Sequence, residues 1–246
     1  MFGAMILAAG RGERMRPLSD QTPKPLLRVG GKPLIVWQIE ALARAGFRDL
    51  VVNASHHANQ LIDFLNDGNA WGVQIKWSIE ATPLETAGGV ATASPLLPAG
   101  PALIVSGDVW TTFDYSTLIA RAETMARDPH APRIHLVMVP NPPYHLEGDF
   151  ALHDGMLRAE GDAKLVYGNI GLHDTALFRD LPRGVPLRLL PLWHDWMARG
   201  LVSGECFDGA WANVGTPADL AALDAQLMQS PRTSGQRIAT TNQTCR

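Results

Sequence analysis

The residues best suited to chemistry lie in one segment near the start of the chain, Leu7–Pro25, with the sequence LAAGRGERMRPLSDQTPKP. Two glycines follow a short apolar run there, interleaved with basic side chains: Gly10, Arg11, Gly12, Arg14, Arg16 and Lys24. Glycine lets a backbone approach an anion closely with its N–H groups exposed. Arginine binds phosphate oxygens in pairs, and lysine acts as a point charge. The segment therefore predicts a phosphate-binding loop.

Two common phosphate-binding patterns do not fit this loop. A Rossmann dinucleotide fingerprint would need a glycine at the position of Met15, and the Walker A pattern is absent. The alternative to a phosphate site is a tight turn between a strand and a helix, with its arginines in solvent. The length of the glycine and arginine string favours the phosphate site.

A second candidate is Asp108, in the sequence SGDV that follows the apolar run Ala102–Val105. In open α/β sheets, ligands bind beyond the carboxyl ends of the strands. A carboxylate at such a position suits Mg2+, which prefers oxygen ligands and substrate phosphates. The alternative is an aspartate that caps a turn, but its combination with the predicted phosphate-binding loop favours the metal.

The elements that must position these residues alternate in the first half of the chain. Short apolar runs predict buried strands at Ala4–Ala8, Leu50–Ala54, Val73–Ile79, Ala102–Val105 and Ile134–Val139. Apolar residues at helical spacing predict helices at Pro33–Ala45, which Gly46 ends, and at Asn59–Asn66 and Tyr115–Arg127. This alternation predicts a mainly parallel sheet with crossover helices.

Turn signals interrupt that pattern beyond about residue 140. Hairpins or mixed strands are expected at Asp149–Leu152, Leu157–Arg158 and Leu165–Leu172. A helix is predicted at Pro186–Arg199, and a strand pair within Leu201–Asn213. A last helix is predicted at Thr216–Leu227, with an N-cap, an N1 proline and an acidic N3 residue: Thr216, Pro217 and Asp219.

The first motif resembles that of the sugar nucleotidyltransferases. The family pattern L-A-A-G-x-G-x-R-[ML]-x-P-L, followed by P-K-P, is matched at Leu7–Leu18 and Pro23–Pro25, and the likeness extends to about residue 227. The resemblance implies an α/β fold, a single-domain Rossmann-like mixed, mainly parallel sheet with helices on both faces. It also implies Mg2+-dependent transfer of a nucleotide from a nucleoside triphosphate to a sugar 1-phosphate, with release of pyrophosphate.

The same resemblance assigns roles to individual residues. Arg14 would bind the phosphates in the transition state, Lys24 would orient phosphate oxygens and Asp108 would hold Mg2+. These three are the expected catalytic residues. The loop around the triphosphate would consist of Ala8, Ala9, Gly10, Arg11, Gly12 and Glu13. The domain would span 1–229, with a nucleotide-binding part at about 1–110 and a sugar-binding part at about 111–229, and residues 230–246 would form a flexible tail.

Weaker matches suggest further contacts. Pro83 and Gly88, in the segment PLETAGG, are expected at the nucleotide. The sugar pocket is expected to contain Glu85, Asp149 and Asn169. The alternatives are an ordinary helix start around Glu85 and ordinary hairpin polarity at the other two positions.

Asn213 departs from the family pattern. The pattern W-x-D-x-G-T supplies a second Mg2+ ligand, but this chain has WANVGT, with Asn213 in place of the aspartate. An amide oxygen still binds Mg2+, although without a negative charge. We expect Asp108 and Asn213 to form a metal site that is less anionic than the family pattern.

Composition limits the partners. A net charge of −3 without a basic patch argues against nucleic-acid and membrane surfaces. The expected partners are therefore small molecules, a nucleoside triphosphate such as UTP and a sugar 1-phosphate. Two cysteines, Cys206 and Cys245, predict no disulfide framework and favour a reducing, cytoplasmic compartment. The oligomeric state stays open, and a monomer is compatible with the sequence.

Within the family, four segments narrow the substrate. GERMRPL, PLETAGG, SGDVW and GDF most resemble uridylyltransferases that act on N-acetylmuramate α-1-phosphate in peptidoglycan recycling. Mannose-1-phosphate guanylyltransferases are the nearest alternative, and glucose-1-phosphate thymidylyltransferases are another. An alternative of a different class is a catalytically weak regulatory protein that binds nucleotide sugars, for which Asn213 is the support.

Overall fold

A nine-stranded mixed sheet lies at the centre of the structure, a computed structural model that describes residues 2–229. Two small two-stranded sheets accompany it. The strands in chain order are β1 (Gly3–Leu7), β2 (Arg28–Val29), β3 (Lys32–Pro33), β4 (Asp49–Ala54), β5 (Gln74–Ile79), β6 (Pro101–Ser106), β7 (Val109–Thr111), β8 (Ile134–Val139), β9 (Phe150–His153), β10 (Met156–Arg158), β11 (Lys164–Asp174), β12 (Val202–Cys206) and β13 (Trp211–Asn213). The helices are α1 (Leu34–Arg44), α2 (Ala58–Leu65), α3 (Glu85–Ala93), α4 (Thr117–Arg127), α5 (Leu190–Ala198) and α6 (Pro217–Gln229).

The first half of the main sheet is parallel. Strands β5, β4, β1 and β6 lie side by side in that order, and each pair is parallel. Leu7 at the end of β1 is in register with Asn53 on one side and Ser106 on the other. The carboxyl ends of these strands therefore meet at one edge, where α/β sheets bind ligands. The strands predicted for this half are confirmed.

The second half of the main sheet contains both parallel and antiparallel strand pairs. Strand β11 runs antiparallel to β6 and β8, β12 runs parallel to β8, and β10 and β9 follow in antiparallel pairings. Strand β9 also pairs with the first residues of β11. The predicted change from parallel units to hairpins and mixed strands is therefore confirmed.

Helices cover both faces of the sheet. Alternate residues of a strand point to opposite faces. Ala4 and Ile6 of β1 belong to a buried cluster that includes the apolar sides of α1, α2 and α4. Met5 belongs to a second cluster, formed with α3 and α5. The predicted architecture, a mixed sheet with helices on both faces, is confirmed.

Two helix ends follow the sequence signals. Gly46 has φ +97° after α1, and its N–H donates to Ala43 O at 3.1 Å, so the helix stops there. At the start of α6, Asp219 N donates to Thr216 Oγ1 at 3.2 Å and Thr216 N donates to Asp219 Oδ2 at 2.8 Å. The predicted N-cap is thus a reciprocal pair that satisfies two backbone donors.

Two predicted elements differ in the structure. Strands β12 and β13 do not pair with each other, because β12 pairs with β8 and β10 whereas β13 leaves the main sheet and pairs with β7. The predicted helix at Pro186–Arg199 begins only at Leu190. Residues 186–189 form no helix, and Leu187 exchanges backbone hydrogen bonds with the segment 84–88.

Buried His173 should make the fold sensitive to acid. Burial lowers the pKa of His173 from 6.5 to about 4, although its contact with Gly171 O opposes the shift. The unfolded chain therefore binds this proton more tightly than the folded one. The free energy of unfolding should lose roughly 3 kcal/mol as pH falls from 6.5 to about 4, and should retain this contribution above pH 6.5.

Urea unfolding at several pH values would measure this slope. His173→Gln should flatten it, whereas the change of exposed His130 to Gln should leave it as in the wild type. An unchanged slope in His173→Gln would assign the acid sensitivity to other groups.

No helix among residues 2–229 is long and apolar enough to cross a membrane. Cys206 at the end of β12 is disulfide-bonded, so the cysteine count is not an argument for a reducing compartment. The predicted tail, 230–246, lies outside the described residues.

Candidate active site

The glycine loop, residues 8–14, leaves the carboxyl end of β1. Ala8 N donates to the buried Asn53 Oδ1 at 2.7 Å, which fixes the start of the loop on the neighbouring strand. Gly12 has φ +66°, and a Cβ there would lie 3.1 Å from Lys24 Cβ. Its carbonyl accepts hydrogen bonds from Ser19 Oγ at 2.7 Å and from Met15 N at 2.9 Å. Gly12 therefore combines a left-handed conformation with close approach to Lys24.

Lys24 and Asp108 meet beside this loop. Lys24 Nζ lies 2.5 Å from Asp108 Oδ2, with side-chain exposures of 12% and 28%. Gly107 N donates to Leu7 O at 2.9 Å, and a Cβ on Gly107 would lie 3.2 Å from that oxygen. The glycine before Asp108 thus lets the end of β6 pass close to β1. Lys24 and Asp108, which were predicted separately for the site, therefore lie in direct contact.

Asn213 lies beside Asp108. Strand β13 pairs with β7 so that Asn213 is opposite Val109, and Val214 N donates to Asp108 O at 3.0 Å. Asn213 Oδ1 is buried without a hydrogen-bond partner. Buried polar atoms normally have partners. An unpaired amide oxygen is the kind of acceptor that a hard cation can use.

Few side chains near Asp108 could act as additional metal ligands. Among residues 2–229, no group of three or more His, Cys, Asp or Glu side chains could hold a metal ion. A cation at Asp108 and Asn213 would therefore take its other ligands from substrate and water. This arrangement is typical of Mg2+ in nucleotide-binding enzymes.

Arg14 is exposed and lies against the start of α6. A Cβ on Gly215 would lie 3.4 Å from Arg14 Nη2 and 3.4 Å from Asp219 Oδ2. Gly215 thus leaves space for the guanidinium group beside the N-cap of α6. Arg14 is positioned near the strand β13 that carries Asn213.

A cavity of about 340 Å³ opens beside the glycine loop. Seven of the residues predicted for the site line it: Ala8, Ala9, Gly10, Lys24, Pro83, Glu85 and Asp108. The remaining predicted residues are not part of its lining: Arg11, Gly12, Glu13, Arg14, Gly88, Asp149, Asn169 and Asn213. Glu85, which was expected at the sugar, thus faces the same cavity as the glycine loop. It begins α3 with φ +59°, a conformation uncommon for a non-glycine residue.

Gly88 has a packing role in the structure. Its N–H donates to Leu187 O at 3.1 Å, and a Cβ there would lie only 2.3 Å from Val185 O. Any side chain would collide with that backbone. Gly88 therefore supports the cavity wall from behind, where the segment 185–187 crosses α3.

Asp149 and Asn169 lie in the second half of the sheet. Asp149 Oδ2 accepts a hydrogen bond from Tyr167 N at 2.8 Å, and its Oδ1 lies 2.9 Å from His145 Nε2. Both carboxylate oxygens are therefore used in contacts with neighbouring parts of the chain. Asn169 has φ +58° at an irregularity in β11. The next residue, Ile170, is opposite Val105, which places Asn169 at the edge of the sheet where Asp108 also lies.

Three residues near the site did not emerge from the sequence motifs. Asn53 interrupts an apolar strand, which was an available signal, and Glu80 follows β5; both line the cavity. Tyr144 is 64% exposed. Partial desolvation raises the pKa of Tyr144, and the carboxylate of Asp219 adds to the rise. The guanidinium of Arg14 opposes this rise, and the carboxylate of Asp108 adds to it.

Comparison with known proteins agrees with this geometry. A family model described as Nucleotidyl transferase matches residues 3–143, more than half of the chain. An N-acetylmuramate alpha-1-phosphate uridylyltransferase from Neisseria meningitidis serogroup B is 44% identical over 226 residues, covering 90% of this chain and 96% of that protein. A protein of the same name from Caulobacter vibrioides is 34% identical over 238 residues, covering 92% and 97%.

Solved structures share the fold. A Bacillus anthracis protein crystallised with sucrose has a TM-score of 0.81 at 18% identity, with 95% of this chain and 98% of that chain covered. The glycine loop, Lys24 and Asp108 all lie within residues 3–143, the range that the family model matches. The chain belongs to the nucleotidyl transferase family.

Proposed function

We propose that this protein transfers the uridylyl group of UTP to N-acetylmuramate α-1-phosphate, forming UDP-N-acetylmuramate and pyrophosphate in peptidoglycan recycling. The observation that supports the transfer most directly is the contact of Lys24 with Asp108 beside the glycine loop. The choice of base and sugar rests on the names of the relatives from Neisseria meningitidis and Caulobacter vibrioides. A cytoplasmic location is expected because UTP is supplied there.

The reaction forms one bond to the α-phosphorus and breaks another. A phosphate oxygen of the sugar 1-phosphate attacks the α-phosphorus, and the bond from that phosphorus to the bridging oxygen of pyrophosphate breaks. The nucleophile is ionised near neutral pH, so no general base is required. The protein must bring two anions together and stabilise charge, and positioning and electrostatics therefore dominate.

The basic side chains would share that task. Lys24 would orient an oxygen of the α-phosphate or of the sugar phosphate, since this residue lines the cavity. Arg14 would stabilise the charge that develops in the transition state. The loop from Ala8 to Glu13 would surround the triphosphate, with Pro83 facing the nucleotide and Gly88 acting through the packing of α3.

Mg2+ would be held by Asp108 and the Asn213 amide oxygen. When bound, it would neutralise phosphate charge and align the phosphate oxygens. The residues fit such an ion because one is a carboxylate and the other is a buried acceptor without a partner. Asn169 is our candidate for direct contact with the sugar, and Glu85 at the start of α3 would also bind the sugar. Asp149 would act indirectly, by holding the backbone near Tyr167 in place.

A pyrophosphate-release assay with Mg2+ tests this proposal. UTP, GTP and dTTP would each be combined with the 1-phosphates of N-acetylmuramate, mannose and glucose, with samples lacking sugar phosphate as controls. UTP with N-acetylmuramate α-1-phosphate should give the highest kcat/KM. GTP with mannose 1-phosphate as the best pair would overturn the substrate assignment. Nucleotide binding without turnover for every pair would favour the regulatory alternative.

A further inference from the structure

A buried chain of hydrogen bonds connects the glycine loop to the opposite wall of the cavity. Ala8 N donates to Asn53 Oδ1 at 2.7 Å, and Asn53 Nδ2 donates to Glu80 Oε1 at 2.7 Å. Leu84 N donates to Glu80 Oε2 at 3.0 Å. Each polar atom in these three hydrogen bonds acts only as a donor or only as an acceptor. The direction of every hydrogen bond between Ala8 and Leu84 is therefore defined.

Asn53 and Glu80 are tightly enclosed, so a change in either side chain would leave a buried polar group without its partner. Asn53 and Glu80 are only 4% exposed. A Cβ on Gly89 would lie 2.9 Å from Glu80 Oε1 and 3.0 Å from Asn53 Nδ2, so α3 packs directly on the pair. Burial raises the pKa of Glu80, and the hydrogen bonds from Asn53 and Leu84 oppose that rise. The two hydrogen bonds therefore stabilise the charged carboxylate.

We propose that Asn53 and Glu80 are positioning residues that hold the glycine loop and the segment 83–86 at the spacing required by the nucleoside triphosphate. The loop supplies Ala8, Ala9 and Gly10 to the cavity, and the opposite segment supplies Pro83 and Glu85. The side chains of the pair bind a backbone N–H of each wall, Ala8 N on one side and Leu84 N on the other. Asn53 lies near the end of β4 and Glu80 follows β5. This inference rests on the proposed function.

Reversing the polarity of the pair provides a sharp test. Asn53→Asp places a carboxylate oxygen opposite Glu80, and Glu80→Gln leaves one oxygen to accept two hydrogen bonds. The double variant N53D/E80Q restores every bond with the same net charge. In it, the new carboxylate at position 53 would accept from Ala8 N and from the new side-chain amide at position 80. The oxygen of that amide would accept from Leu84 N.

Nucleotide affinity would be measured by calorimetry with a non-hydrolysable UTP analogue, together with KM for each substrate and the melting temperature. Each single variant should weaken nucleotide binding roughly 10- to 100-fold, because a buried polar group loses its partner. KM for the sugar phosphate should change much less. The double variant should return to within about threefold of the wild type, as complementary hydrogen bonds are restored.

A matched control is the exposed amide–carboxylate pair of Asn69 and Asp67, whose Nδ2–Oδ2 distance is 2.6 Å. Asn69→Asp should leave nucleotide affinity unchanged. Lower melting temperatures with unaltered nucleotide affinity in the single variants would show a purely structural role and overturn the inference. If a single variant does not fold, the double variant decides alone: affinity near that of the wild type supports the inference, and a loss above tenfold overturns it. A wild-type protein that binds no nucleotide would instead refute the proposed function.

Discussion

Asp108→Asn is expected to lower kcat/KM by roughly a thousandfold or more while the fold remains intact. The substitution preserves the size of the side chain and removes its charge. Because Asn213 would contribute a neutral oxygen, the proposed Mg2+ site would then have no negative protein ligand. The variant would also lose the ionic part of the contact with Lys24, which lies at 2.5 Å. Pyrophosphate release at saturating Mg2+ would measure the loss.

Asp114→Asn is the matched control for this experiment. Asp114 is exposed and accepts a hydrogen bond from Ser116 N through a side-chain oxygen that asparagine retains. Its activity and melting temperature should match those of the wild type. If Asp108→Asn keeps more than about a tenth of wild-type activity, Asp108 does not have the proposed metal role.

Lys24→Met should lower kcat/KM by roughly 100- to 1000-fold, the range found when one preorganised charged or hydrogen-bonding group is removed from a transition-state site. Methionine preserves most of the apolar stem, which is largely buried, and removes the ammonium group. The change also leaves Asp108 without its partner in the free protein. KM for the nucleoside triphosphate should therefore rise together with the fall in kcat.

The matched control is Lys32→Met. Lys32 also contacts a carboxylate, at 2.6 Å from Glu40 Oε2, and its ammonium lies over the ring of Trp37. That pair lies outside the cavity lining. Lys32→Met should affect stability by about 1 kcal/mol at most and leave kcat unchanged. Equal kinetic losses in both variants would indicate a general loss of stability instead of a role for Lys24 in the reaction.

The parallel half of the fold was predictable because each of its signals is local. The apolar runs are short and bounded, and Gly46 marks the end of α1 by well-understood backbone chemistry. The glycine loop was equally accessible, since its glycines and basic residues are contiguous. The prediction of Asp108 as a site residue required one further argument, the rule that the carboxyl ends of parallel strands meet at one edge of the sheet.

Other features depend on three-dimensional register and have no local signal. The pairing of β13 with β7, which brings Asn213 to Asp108, cannot be inferred from a run that also suits a hairpin. Leu187 forms backbone hydrogen bonds with the segment 84–88, which overrides its helical pattern. Asn53 was visible as a polar residue in an apolar strand, but its partners Ala8 and Glu80 appear only once the strands are aligned.

The structure changes the significance of Asn213. From sequence alone, its neutral amide weakened the expected metal site. In the fold, Asn213 is opposite Val109, the residue after Asp108, and its amide oxygen is buried without a hydrogen-bond partner. In the proposed Mg2+ site, an acceptor held in this way would be preorganised for the cation, which would partly offset the lower charge of the site.

The most direct test of nucleotidyl transfer is a 31P NMR time course of the protein with UTP, N-acetylmuramate α-1-phosphate and Mg2+ in one sample. We expect the signals of a UDP-sugar diphosphate and of free pyrophosphate to grow at equal rates while both substrates decline together. Release of inorganic phosphate from UTP without a UDP-sugar signal, or an unchanged spectrum in the presence of folded protein, would contradict nucleotidyl transfer by this chain.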